Sequence, residues 1–74
     1  QNASLAQLIL MPEQLIKLPV QADRAYYLHL VEGELELAGQ KLQAGDGIKL
    51  LQLTELIAKA GQQHVKALWF DLPG

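Results

Sequence analysis

Cysteine is missing altogether from this 74-residue chain, which excludes disulfide stapling and thiolate metal sites. Histidine is nearly missing. His29 and His64 stand alone, with no second histidine two or four residues away to complete a local chelate. The six basic residues are scattered among eight acidic ones, for a net charge of -2. That distribution lacks the clustered positive footprint of a nucleic-acid binder. No apolar run approaches the roughly 20 residues that cross a bilayer as a helix, and no signal-peptide pattern opens the chain. Neither nucleic acid nor membrane is therefore expected as a partner, and the default expectation for location is cytoplasmic. Aromatic side chains are confined to Tyr26, Tyr27, Trp69 and Phe70.

Half of the residues are apolar, enough for a core, and the length allows one small domain over residues 1–74. Domains of this size bury only about 60% of their unfolded surface and fold with little margin. The pattern is strand-like from end to end. Ala6 to Met11 is a first apolar run, stopped by Pro12, and Gln14 to Leu18 a second, stopped by Pro19; proline cannot donate to a ladder. Gln21-Ala22-Asp23-Arg24 reads as a loop, and Ala25 to Val31 as the strongest strand candidate.

Glu32-Gly33 turns the chain into Glu34 to Leu37, a clean period-two alternation with one wet face. Ala38-Gly39 is a two-residue hairpin connection. Because alanine disfavours positive φ, the left-handed position is expected at Gly39 rather than in an ideal type I′ turn. Gln40 to Leu42 returns, Ala44-Gly45-Asp46-Gly47 turns again, and Ile48 to Leu51 follows. Leu53 to Ala60 has helix formers and a candidate N-cap in Thr54, but it is short for a stable helix and also fits a strand. A strand is the reading adopted. Val65 to Leu72 closes the chain as a last strand before Pro73.

Several of these strands carry apolar residues on both faces, as in Tyr26-Tyr27-Leu28, Leu50-Leu51 and Leu68-Trp69-Phe70. A small barrel has one interior, so a second apolar face implies a packing partner.

The segment VEGELELAGQKLQAGDGI, together with the ending ALWFDLP, resembles the C-terminal half of the pirin family. These are two-domain cupin proteins, and bacterial members include proteins similar to quercetin 2,3-dioxygenases. The resemblance runs over essentially the whole chain. It implies an all-β, cupin-like small barrel or jelly roll of seven or eight short antiparallel strands. It also implies that a chain starting at Gln1 is the C-terminal half of a longer protein.

The general cupin pattern has two histidines spaced His-x-His, then a glutamate, then a third histidine beyond the Gly-Asp turn. Counting back from Gly33 puts the two histidines at Pro19 and Gln21 and the glutamate at Tyr26; counting forward from Gly45 puts the last histidine near Leu56. An imide ring, an amide, a phenol and an alkyl group thus stand where imidazoles and a carboxylate should converge on a metal. The departure fits the family, since in its quercetinase-like members the metal belongs to the N-terminal cupin.

The remaining candidates read as structural. Alternation puts His29 on the face opposite Tyr26, Leu28 and Leu30, which should line the barrel. His64 falls in a polar turn. Glu34 and Glu36 share one solvated face, with Glu32 just before them, and Asp46 suits a turn residue that satisfies backbone amides. Ser4 has no nearby base, and no glycine opens a helix as a phosphate loop would. Tyr26, Leu28, Leu56, Trp69 and Phe70 are the candidates for a pocket or, more blandly, for the core, one of each aromatic pair filling the interior and the other anchoring an interface.

The expectation is therefore a metal-free, non-catalytic cupin domain with no cofactor and a structural or interaction role. Its partner would be the N-terminal cupin half of its parent or a second copy. Two alternatives stand beside it: the accessory half of a quercetin 2,3-dioxygenase-like enzyme, and a small-molecule-binding module.

Overall fold

A computed structural model describes residues 3–73. Eight strands follow one another: β1 Ser4–Leu10, β2 Leu15–Leu18, β3 Arg24–Glu32, β4 Glu34–Leu37, β5 Gln40–Gln43, β6 Gly47–Leu51, β7 Leu56–Ala60 and β8 Val65–Pro73. They form two four-stranded antiparallel sheets. Sheet I has the order β1-β8-β3-β6 and sheet II the order β2-β7-β4-β5. The chain crosses repeatedly from one sheet to the other, as a jelly roll does. There is no helix among the described residues, so none is long and apolar enough to cross a membrane.

Alternation explains most of the strands. In β4, Leu35 and Leu37 face inward while Glu34 and Glu36 face water. In β7, Leu56, Ala58 and Ala60 are buried and Ile57 and Lys59 exposed, so the stretch with helix formers is a strand. It pairs with β2 on one side and β4 on the other, and period-two burial outweighs a weak local preference for helix. Thr54 caps nothing. β1 runs Ser4–Leu10, two residues ahead of the apolar run read from sequence, because its pairing with β8 begins at Ser4↔Asp71.

One expectation about a turn holds for Gly39 and fails for Ala38. Ala38 and Gly39 both take positive φ, 51° and 77°, so the hairpin from β4 to β5 has the sign pattern of a type I′ turn with alanine in the unfavourable place. The two-residue length and the twist of the flanking strands dictate that geometry, and Ala38 submits to it. Gly33 is needed twice over at the corner between the sheets. Its φ is 87°, and a Cβ there would stand 2.2 Å from the His64 carbonyl oxygen. Just ahead of it β3 carries a bulge, Leu30 pairing with Ala67 but Glu32 with Lys66, so Val31 is the extra residue.

The core lies between the two sheets and is leucine-rich, with Leu10, Leu28, Leu30, Leu35 and Leu37 almost fully buried and, among the described residues, no buried charged one. The two outer faces differ. On sheet II the cross-strand neighbours Lys59, Glu36 and Lys41 alternate in charge, and the face is wet. On sheet I the register lines up Leu5, Phe70 and Tyr27 in one row and Leu51, Ala25 and Leu72 in another. Leu5, Ile9, Tyr27, Val31 and Leu51 remain exposed there.

Candidate functional site

The four residues that sequence counting sets at the cupin ligand positions come from the segment after β2, the start of β3 and the start of β7. Leu56 opens β7 opposite Leu18, and both are buried. Pro19 and Gln21 follow β2 and are exposed. Tyr26 is 1% exposed and its ring stacks on Trp69, with centroids 5.1 Å apart and planes 16° from parallel. The register produces that stack: Trp69 pairs with Leu28, so it shares the inner face with Tyr26 two residues along the neighbouring strand.

The Tyr26 hydroxyl accepts a hydrogen bond of 2.7 Å from the backbone N–H of Gln21. The loop after β2 is thus tied to the start of β3. Nearby, Arg24 Nε donates to Asp71 Oδ1 at 2.5 Å, joining the start of β3 to the end of β8. The hydrogen bond to Asp71 raises the Arg24 pKa above the usual arginine value, against a smaller opposing effect of desolvation. Sequence reasoning missed this pair, because 47 residues separate its members and only the β3–β8 register brings them together.

As a metal site the arrangement does not fit. Proline and leucine side chains offer no donor, Gln21 offers at most a neutral amide, and the Tyr26 phenol is engaged with a backbone amide. Among the described residues no three or more His, Cys, Asp or Glu side chains converge where an ion could sit. Nor is any buried side-chain nitrogen or oxygen among them left without a hydrogen-bond partner, so no orphaned donor points at a missing ligand.

Of the residues read from sequence as pocket or core, Tyr26, Leu28, Leu56 and Trp69 are packed in the interior. Phe70 is not. It lies half-buried on the outer face of sheet I, tilted 56° against Tyr27 at 5.9 Å between centroids. Each aromatic pair is split, one ring inward and one outward. The Tyr27 ring covers Gly47, where a Cβ would strike its hydroxyl; in the sequence Gly47 reads only as part of a turn. His29 sits half-buried on the same outer face, between Leu68 and Gly47 in the register. His64 is exposed in its turn. Asp46 accepts from the Gln43 N–H at 2.9 Å, the turn-stabilising role its residue type suggests.

A shallow groove of about 610 Å³ crosses sheet II and is lined by Glu13, Glu34, Glu36, Lys41 and Lys59 among others. Its carboxylates alternate with lysines along the register. It holds no nucleophile paired with a base and no aromatic platform, so it has the make-up of a solvated sheet face rather than of a catalytic cleft.

Comparison with known proteins agrees with this architecture. Among solved structures, YhhW from Escherichia coli is similar over 99% of the chain, with a TM-score of 0.90 and 23% identity. An HTH_3 family transcriptional regulator from Vibrio cholerae is similar over 97%, with a TM-score of 0.83 and 16% identity. The cupin domain of an XRE family transcriptional regulator from Enterobacter cloacae gives a TM-score of 0.74 at 18% identity, covering all of this chain and 99% of that one. The chain spans only 31% of YhhW and 43% of the Vibrio regulator. No curated protein sequence matches it. The family model described as the quercetinase C-terminal cupin domain matches residues 1–72, and the chain therefore belongs to that family of pirin-type C-terminal cupins.

Proposed function

We propose that this chain is a metal-free, non-catalytic cupin whose role is structural: it packs the outer face of sheet I against the preceding half of a quercetinase-like parent protein. What supports this reading is the residues that sequence counting sets at the cupin ligand positions, Pro19, Gln21, Tyr26 and Leu56, none of them a usual metal ligand, with the Tyr26 phenol bonded to the Gln21 backbone. The exposed apolar residues of sheet I support the second part, since small domains seldom leave such a face against water.

Elemental analysis of the purified chain tests the metal-free claim. After growth with iron, copper, nickel and manganese and removal of loosely held ions, each metal should fall well below one per chain. A stoichiometric content of any of them would sink the proposal. The chain alone should also leave quercetin uncleaved under air.

A second reading concerns the parent, and the family's description favours it. In that reading the parent is a quercetin 2,3-dioxygenase-like enzyme whose metal lies in another cupin half, and this domain supports that half. Adjoining sequence carrying a His-x-His with a downstream Glu and His would favour it; sequence without them would remove it.

A further inference from the structure

Four strands end a sheet in this fold, and three of them are guarded. β6 carries Lys49, β5 carries Lys41, and β2 carries Lys17 between Pro12 and Pro19. Edge lysines and prolines discourage another chain from adding a strand. β1 has neither. It is seven residues long, Ser-Leu-Ala-Gln-Leu-Ile-Leu, with unbroken register against β8. No charged residue occurs in the sequence before Glu13. Beyond β1 no further described strand follows in sheet I, and Leu5 and Ile9 are 59% and 61% exposed.

We infer that β1 is a self-association edge that pairs antiparallel with β1 of a second copy, about a two-fold axis through Gln7. The composition of the strand selects this occupant. Gln7 is the middle residue of Ser4–Leu10, and its neighbours mirror one another: Leu5 and Ile9 on the outer face, Ala6 and Leu8 on the inner. In an antiparallel ladder, facing residues must share a face. The register that engages all seven residues sets Gln7 opposite the partner's Gln7, Leu5 opposite the partner's Ile9, and Ala6 opposite the partner's Leu8. Apolar residues meet apolar residues on both sides of a neutral amide pair, Ser4 faces the partner's Leu10 at each end, and no like charges oppose each other.

A second copy supplies, by identity, a strand free of charge and proline with the matching face pattern. The symmetry closes, because each copy uses the same edge, and both unguarded edges disappear into one eight-stranded sheet. Seven paired residues span about 24 Å. A single edge of that length buries less than the roughly 1,200 Å² of a standard interface, so association is reversible, with a Kd on the order of micromolar. The inference rests on the fold and the edge strands, and it holds whether or not the domain binds metal.

The absence of cysteine makes the test clean. In the proposed register the two copies of residue 7 lie about 4.5–5.5 Å apart between Cα atoms, within disulfide reach. The two copies of residue 5 lie about 14 Å apart, four residues along the strand. Gln7→Cys should therefore cross-link to dimer under mild oxidation, and Leu5→Cys alone should not, whereas a mixture of Leu5→Cys and Ile9→Cys chains should give the heterodimer. In sedimentation the unmodified chain should rise with concentration from 8.2 kDa toward twice that mass, and Gln7→Lys should weaken dimerisation at least tenfold while leaving the melting temperature of dilute protein unchanged.

A chain that stays monomeric at several hundred micromolar overturns the inference, as does failure of Gln7→Cys to cross-link more readily than Leu5→Cys. If instead a dimer forms that ignores Gln7→Lys but breaks with Leu51→Lys, on the far side of the same sheet, the outer face rather than the edge carries the association. That result overturns edge pairing and leaves the structural proposal standing.

Discussion

Tyr26 is where the reading of this domain can be broken most directly. Its phenol accepts from the Gln21 N–H and its ring, 1% exposed, stacks on Trp69. Tyr26→Phe removes only the hydroxyl and leaves a partly buried amide without its acceptor, a loss of about 1 kcal/mol. For a domain of this length that is roughly a 4–8 °C fall in melting temperature. Tyr26→Ala also opens a cavity and removes the stack, and should cost about 3–5 kcal/mol. Typical stability is about 0.1 kcal/mol per residue, or about 7 kcal/mol for this length, so that variant keeps only about 2–4 kcal/mol and melts far below wild type. Trp69 is the single tryptophan, so its fluorescence reports the same contact that the substitution alters, and circular dichroism gives the melting curve. Both measurements should rank wild type above Tyr26→Phe and that variant far above Tyr26→Ala. If Tyr26→Ala melts within a degree or two of wild type, with Trp69 emission unshifted, the interior is not filled as described, and the case against an internal ligand falls with it.

Gly33→Ala should lose about 3 kcal/mol or more, because it combines a left-handed φ with a Cβ driven into the His64 carbonyl, and the denaturant midpoint will show it. Ala38→Asn should gain about 0.5–1 kcal/mol by relieving alanine of its φ of 51°; an unchanged or lower melting temperature would contradict the turn geometry. Arg24→Met should lower the melting temperature by the same amount at pH 6 and pH 9. The raised pKa of Arg24 makes its contribution fully present below the usual arginine pKa and lost only as pH climbs through the still higher folded value, so a loss that varied between pH 6 and 9 would have to come from another group.

The strands were legible in the sequence because alternation, proline and glycine all mark the same boundaries. Glu34 to Leu37 could be read residue by residue, and Tyr26, Leu28 and Leu30 were placed inward by parity alone, where they lie. Leu53 to Ala60 was ambiguous because local preference pulled toward helix while burial on both sides of β7 depended on strands far away in sequence. Ala38 went wrong because the rule about its φ is local, whereas hairpin length and strand twist are not. Trp69 and Phe70 could be assigned as one in and one out, but only the register against Leu28 and Tyr27 decides which. The Arg24–Asp71 pair and the Tyr27–Gly47 contact had no sequence signal at all, since each depends on strand neighbours fixed by topology.

The energetics of the outer face distinguish an attached partner from a free one. Leu5, Ile9, Tyr27, Val31 and Leu51 are each 37% to 61% exposed. Covering what remains of each side chain is worth about 1 kcal/mol, or about 5 kcal/mol for the group. Association of two separate molecules costs at least about 4 kcal/mol in lost freedom before any side chain is ordered, so this face alone would hold a free partner only weakly. Joined within one polypeptide, the partner surface is present at a millimolar effective concentration, and the same 5 kcal/mol suffices to keep it docked. The interior offers no comparable opportunity, because its aromatic rings stack on each other and its polar atoms among the described residues are already bonded. In the proposed reading this cupin contributes through its surface, in a face suited to a tethered neighbour and an edge strand suited to its own copy.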